Sequence, residues 1–407
     1  MDREYGWMMT RMLAGMLGCL LIAPVLATQR HADASESAGV GRVVQALCPK
    51  DVVMLGEDNH HASSTTLRVK VELVKRLVGQ CGFRGVVFES QFYDMLDFER
   101  SLARGVATRH QLSDAIGPLW SHYPQVMPLV HWLYQEARLG RVRIGGMDPQ
   151  AGNIDEPYSA QKLPGVLSAV LNRAHREECE HAIYRQNNQT YDQARPFDRA
   201  VMFHLRACLH DIRDRLTKMG RKAPRGLKAM ADSYAAYLEI YVASQLKHDI
   251  TLVANRRDRA MYVNFMWWRA HWPKGTRIVV WCATVHAAKS SKGWDASIRP
   301  FGSYVHARFG SRAAAIGFSA LGGTYGNVGG HGKPHAIPHA HAGSMEARAF
   351  EGQGPRAMRF VDRAQLHAMG KVSSRVINFA KPYTLDWSRV LDGVIVLRRE
   401  VAAKAKS

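Results

Sequence analysis

The stretch Asp51-Val52-Val53-Met54-Leu55-Gly56-Glu57-Asp58-Asn59-His60-His61 changes character within a single residue. Val52 to Leu55 are all apolar, and from Glu57 onward every side chain titrates or hydrogen-bonds. A half-exposed strand would alternate polar and apolar positions. An unbroken apolar run with polar ends predicts a strand covered on both faces. Asp51–Gly56 is therefore read as a buried strand whose carboxyl end opens onto a polar loop. Five further runs share this character: Gly85–Glu89, Val142–Met147, Arg277–Ala283, Ala313–Phe318 and Gly393–Leu397. Longer helical patterns separate most of them. This predicts an α/β fold with a central, largely parallel sheet flanked by helices.

Between the third and fourth runs, about 161–271, no strand pattern occurs. Met202, Leu205, Leu209 and Ile212 recur there at helical spacing, which predicts a long helical insertion beside the sheet. Hydrophobic residues make up 46% of the 407 residues, enough for one large α/β domain, placed here at 40–400. Gly322–Gly343, with His331, His335, His339 and His341, predicts a loop near the C-terminal part of the sheet. Its histidines could take a transition metal, or simply line a mobile rim.

The chemistry lies where the strands end. The first run delivers Glu57 and His60, the second Glu89, the third Asp148, and the fourth leads through Ala283 to His286. Open parallel sheets place their sites at the carboxyl ends of the strands. Asp58 and Asn59 could act merely as helix caps. Four titratable strand ends in one sheet favour a shared site over four separate caps. A carboxylate beside an imidazole orients it and raises its basicity. No Gly-x-Ser-x-Gly elbow is present, which argues against a serine nucleophile and for attack by water. Glu57, Glu89, His60 and His286 would also suit a divalent metal as a two-histidine, carboxylate set.

The N-terminus carries Arg3 and Arg11, then an apolar run from Met12 to Ala27 with small residues Val25 and Ala27 at its end. This reads as a signal peptide over 1–27 and predicts a periplasmic or secreted protein. The run is shorter than the ~20 residues that span a bilayer. The formal charge of +20 suits peripheral contact with an anionic membrane surface, and no nucleic-acid motif accompanies it. Cys48 and Cys81 could approach each other, as could Cys179 and Cys208, with Cys282 left over; spacing alone leaves the pairing open.

Gly56-Glu57-x-x-His60 resembles the Gly-Glu-x-x-His signature of the erythromycin esterase family. Further segments follow in the same order. Gly82-Phe83 leads to Glu89, Gly146-Met147-Asp148 matches a strand end, and Arg257-Asp258-Arg259-Ala260-Met261 with Asn264 matches a helix motif. Trp281 to His286 falls where the family has Trp-Ala-His-Asn-x-His, with Ala283 and Thr284 replacing its first histidine and asparagine. The resemblance spans roughly 50–400. It implies hydrolysis of a small-molecule ester or lactone, of which a macrolide is the family's named substrate, with no cofactor. In that picture His60 is the base on water, Glu57 orients it, Glu89 is a second carboxylate and His286 closes the fourth-strand motif. Arg68 would position substrate or hold the oxyanion, His61 could replace the missing imidazole, and Asp148 would contact substrate. The alternative is a non-hydrolytic relative that holds iron, haem or a divalent ion at the envelope.

Overall fold

The computed structural model describes residues 36–152 and 158–405, so the signal-peptide reading lies outside the described residues. Seven strands form the central sheet: β1 (Val52–Leu55), β2 (Gly85–Gln91), β3 (Arg143–Asp148), β4 (Ile278–Trp281), β5 (Ala313–Ala320), β6 (Met358–Asp362) and β7 (Gly393–Leu397), in the order β3-β2-β4-β1-β5-β7-β6. All contacts are parallel except β7 with β6. The six runs read from sequence are six of these strands. β6 was not foreseen: at the sheet edge its residues are only partly covered, and its Met-Arg-Phe-Val-Asp carries no long apolar signature.

The register is unusually level. Val52 pairs with Ile278 and Ala313, Gly85 with Ile278 and Arg143, so five parallel strands begin on one line. Leu55, Trp281, Phe88 and Gly146 are level with one another, and Glu57, Glu89 and Asp148 emerge one or two positions beyond them along that edge. Gly56 makes this possible. Any Cβ there would lie 2.6 Å from Thr284 Oγ1 and 2.9 Å from the Ile316 carbonyl oxygen, so only glycine lets β1 turn out between its neighbours.

Helix α1 (Ser64–Cys81) returns across the sheet from the β1 loop. The stretch from 161 to 271 contains four long helices: α2 (Arg173–Asn187), α3 (Arg199–Met219), α4 (Leu227–Gln245) and α5 (Ile250–His271). α5 lies on β3. Trp268 donates from Nε1 to the Gly146 carbonyl at 2.7 Å, and a Cβ at Gly145 would strike the Trp268 indole at 2.9 Å. Cys48 is bonded to Cys81, and Cys179 to Cys208, while Cys282 is a buried free thiol. Among the described residues, no helix is long and apolar enough to cross a membrane.

Candidate active site

Glu57 leaves the end of β1 and is buried. Its Oε1 accepts from Trp120 Nε1 at 2.6 Å and meets His61 Nδ1 at 2.8 Å; its Oε2 accepts from Lys70 Nζ at 2.7 Å. Burial alone would raise its pKa, but the Lys70 ammonium and His61 reverse this and hold it below the usual carboxylate range. Lys70 belongs to the apolar stripe of α1, between Leu67 and Val74 at helical spacing. Its ammonium also lies 4.2 Å from the Trp281 ring centroid. Burial pulls its pKa down, although Glu57 opposes the shift.

The expected partnership of Glu57 with His60 is not what the chain forms. His60 Nδ1 lies 2.6 Å from Asp58 Oδ1, its ring is 4.8 Å from that of Tyr325, and the Asp58 bond raises its pKa against the effect of burial. Glu57 holds His61 instead. The reason is local backbone: His61 adopts φ 58°, a left-handed conformation in which histidine is enriched among non-glycine residues. The turn is closed by its N–H donating to the Asp58 carbonyl at 3.0 Å. Consecutive histidines thus point to consecutive carboxylates, forming two dyads, Glu57–His61 and Asp58–His60. In each, Nδ1 faces the carboxylate and Nε2 is the ring atom left to exchange a proton.

The ends of β2 and β3 and the loop after β4 build a second cluster. Glu89 Oε1 accepts from Arg257 Nη2 at 2.9 Å and lies 3.2 Å from His286 Nε2; its Oε2 accepts from the Ala283 N–H at 2.8 Å. Arg257, from α5, also reaches Asp148 Oδ2 at 2.5 Å and lies 3.1 Å from His286 Nε2 through Nη1. His286 Nδ1 lies 2.9 Å from the buried Asp258, one residue further along α5. Burial would lower the His286 pKa, but Asp258 and Glu89 together carry it up to about 10, so the ring is an imidazolium at neutral pH. Glu89 is correspondingly held well below the carboxylate range: burial opposes ionisation, and His286 with Arg257 overcomes it. His61 contributes to the same shift, which brings the two clusters into one electrostatic unit. Behind them the Cys282 thiol is pushed well up by burial and by Glu89, which keeps it protonated and a poor nucleophile.

A cavity of about 280 Å³ opens against this unit, lined by Glu89, Trp120, Asp148, Tyr237 and Arg257 among others. Trp120 joins the two parts, with its N–H on Glu57 and its residue in the cavity wall. The loop itself is clamped from far along the chain. The Ala62 carbonyl accepts from the N–H groups of Gly326 and Ala403, each at 2.9 Å, and Ser64 N–H donates to the Val401 carbonyl at 2.7 Å. Glu400 is buried against the start of α1 and accepts from Thr65 N–H at 2.7 Å and Thr66 Oγ1 at 2.6 Å.

Of the residues expected from sequence, Glu57, His61, Glu89, Asp148 and His286 come together, and His60 stands beside them on Asp58. Arg68 does not join them. It is 51% exposed and pairs with Glu36, because two residues of helix separate it from Lys70 by about 200°. The cations that do face the carboxylates are Lys70 and Arg257. A lysine inside an apolar helical stripe was a signal for the first, and the Arg257-Asp258 motif for the second. Trp120 carries no comparable signal. Among the described residues, no group of three or more His, Cys, Asp or Glu is arranged to hold a metal ion.

The sequence profile described as Erythromycin esterase matches residues 78–397. No curated protein matches the chain significantly. Among solved structures, a Bacillus cereus protein superposes with a TM-score of 0.69 at 17% identity, covering 88% of this chain and 90% of that one. A succinoglycan biosynthesis protein gives 0.66 at 16%, with coverages of 90% and 92%. A mutant of the erythromycin esterase EreC in its open conformation gives 0.65 at 16%, with coverages of 90% and 94%. At these identities the structural likenesses show a shared fold.

Proposed function

The chain belongs to the erythromycin esterase family, and from that membership we propose that it is an exported hydrolase that cleaves a carboxylic ester or lactone with water activated by His61. The observation that carries this reading is the Glu57–His61 dyad, set beside a cationic Arg257–His286 pair. The ionised Glu57 accepts from Nδ1–H and leaves Nε2 basic. Nε2 takes a proton from water as the water oxygen bonds to the acyl carbon. The carbonyl electrons move onto oxygen, and Arg257 in the cavity wall, backed by the His286 imidazolium, supplies the positive charge that answers it. As the intermediate collapses, the acyl C–O bond breaks and the leaving alkoxide recovers the proton from His61. His60, favoured by the sequence pattern, forms the neighbouring dyad and is the second candidate base.

The cavity lies at the lower edge of the about 300–1,000 Å³ typical of ligand pockets. This favours a compact acyl group inside it, with any larger ring, such as a macrolide, extending outward. The metal- or haem-holding alternative is less well supported: both oxygens of Glu57 and of Glu89 already accept from protein donors, with which an ion would have to compete. Two disulfides support an oxidising compartment, in keeping with a periplasmic or secreted protein.

The test is incubation with erythromycin and a panel of esters and lactones, with and without chelator, following gain of one water by mass spectrometry. The proposal expects chelator-insensitive turnover that His61→Ala abolishes. Turnover lost only in His60→Ala would move the base to the other dyad, and no cleavage across the panel would sink the hydrolase reading.

A further inference from the structure

The edge of the sheet opposite the candidate site has a charge pattern of its own. Each of the five level strands is led in by a basic residue: Lys50 before β1, Arg84 before β2, Arg143 opening β3, Arg277 before β4 and Arg312 before β5. Some of these cations are spent internally. Arg277 donates from Nε to the Lys50 carbonyl at 2.8 Å, and Arg312 pairs with Asp51 at 2.8 Å. Around β3 and β2 the balance differs. Two adjoining grooves share Gly140 and Arg143, and their rims carry the exposed side chains of Arg84, Arg138, Arg141, Arg143, Arg225 and Lys274. Among the described residues, two carboxylates pair with them. Glu136 pairs with Arg141 at 2.6 Å, and Glu99 with Arg225 at 3.4 Å. Arg138, Arg143 and Lys274 have no carboxylate partner among the described residues.

At the centre of this patch, the turn Arg138-Leu139-Gly140-Arg141 holds Leu139 60% exposed, with Gly140 at φ 68° making the bend. Val106, just beyond the helix Phe92–Ala103 that lines the same groove, is 61% exposed. A polyanion such as nucleic acid would use the arginines but gain nothing from these apolar tips. A lipid leaflet uses both: phosphates meet the cations while the leucine enters the acyl boundary.

We infer that this N-terminal edge of the sheet is a docking face for an anionic phospholipid surface, seated on Arg138, Leu139, Arg143 and Lys274. The candidate site, at the opposite edge of the same strands, then faces away from the bilayer.

The test compares the full chain with a variant carrying Arg138→Gln, Arg143→Gln and Lys274→Gln, and with Leu139→Ser, by co-sedimentation with vesicles. Both variants keep the same N-terminus as the parent and are checked for unchanged circular dichroism and melting. The parent is expected to bind phosphatidylglycerol-containing vesicles, to bind pure phosphatidylcholine far less, and to release in high salt. Each neutralised cation should weaken partitioning about fivefold, so the triple variant loses roughly a hundredfold; Leu139→Ser should weaken it at unchanged charge. Vesicle binding equal in parent and triple variant overturns the inference, as does failure of the parent to bind. Loss of duplex-DNA binding in the triple variant without any vesicle binding overturns it in favour of a polyanion.

Discussion

Lys70 Nζ stands 2.7 Å from Glu57 Oε2, with the two side chains 0% and 1% exposed. Such a pair gains little over a well-packed apolar pair, but losing one member leaves the other charged and unanswered. Lys70→Met and Glu57→Gln are each expected to cost about 3–5 kcal/mol in urea unfolding. The double variant should recover part of that loss. Additive losses would show that the pair is not coupled as drawn.

The two dyads separate by mutation. His61→Ala is expected to lower turnover about 10²- to 10⁴-fold, the usual scale for a positioned general base. His60→Ala, whose ring faces Asp58 and Tyr325, should cost less. Single-turnover rates on the best ester of the panel decide between them.

The position of His286 between Asp258 and Glu89 predicts a pH signature. Its pKa rises from an ordinary 6.5 to about 10, so folding favours the protonated ring. The stability this contributes is fully present below about pH 6.5 and is lost as pH rises toward 10. Melting temperature should therefore decline across that window, and His286→Gln should remove this part of the decline while lowering stability at neutral pH. An unchanged pH profile in the variant would contradict the assignment.

The disulfides close loops with sequence separations of 33 and 29 residues. Each should stabilise the fold by about 3–4 kcal/mol, read as a fall in the denaturant midpoint of the paired Cys→Ser variants. A thiol reagent should leave Cys282 unmodified until the chain unfolds, because that side chain is buried.

The sequence shows a good deal of this architecture and less of the site. Buried parallel strands write themselves as continuous apolar runs, which is why six of the seven strands of the central sheet were legible and its partly covered edge strand β6 was not. The convergence of Glu57, Glu89, Asp148 and His286 follows from parallel strands in level register, which carry them just beyond one row of paired residues. Which histidine Glu57 holds depends on the positive φ of His61, and no spacing rule contains that angle. Arg68 illustrates the same limit: position on a helix decides which cation reaches the carboxylates, and two residues of helical rotation gave that place to Lys70.

The clamp on the β1 loop has a consequence in time. Glu57 and His61 leave the ribosome early, but Thr65 receives its carboxylate from a residue 335 positions later, and Ala62 the second of its two donors from Ala403. Domains fold as their chains emerge, at about 5–20 residues per second. For most of its synthesis the nascent chain therefore carries the β1 loop without this part of its fastening, until Glu400 to Ala403 arrive. A chain cut short before Glu400 would keep every residue of both dyads and still lack the device that sets them.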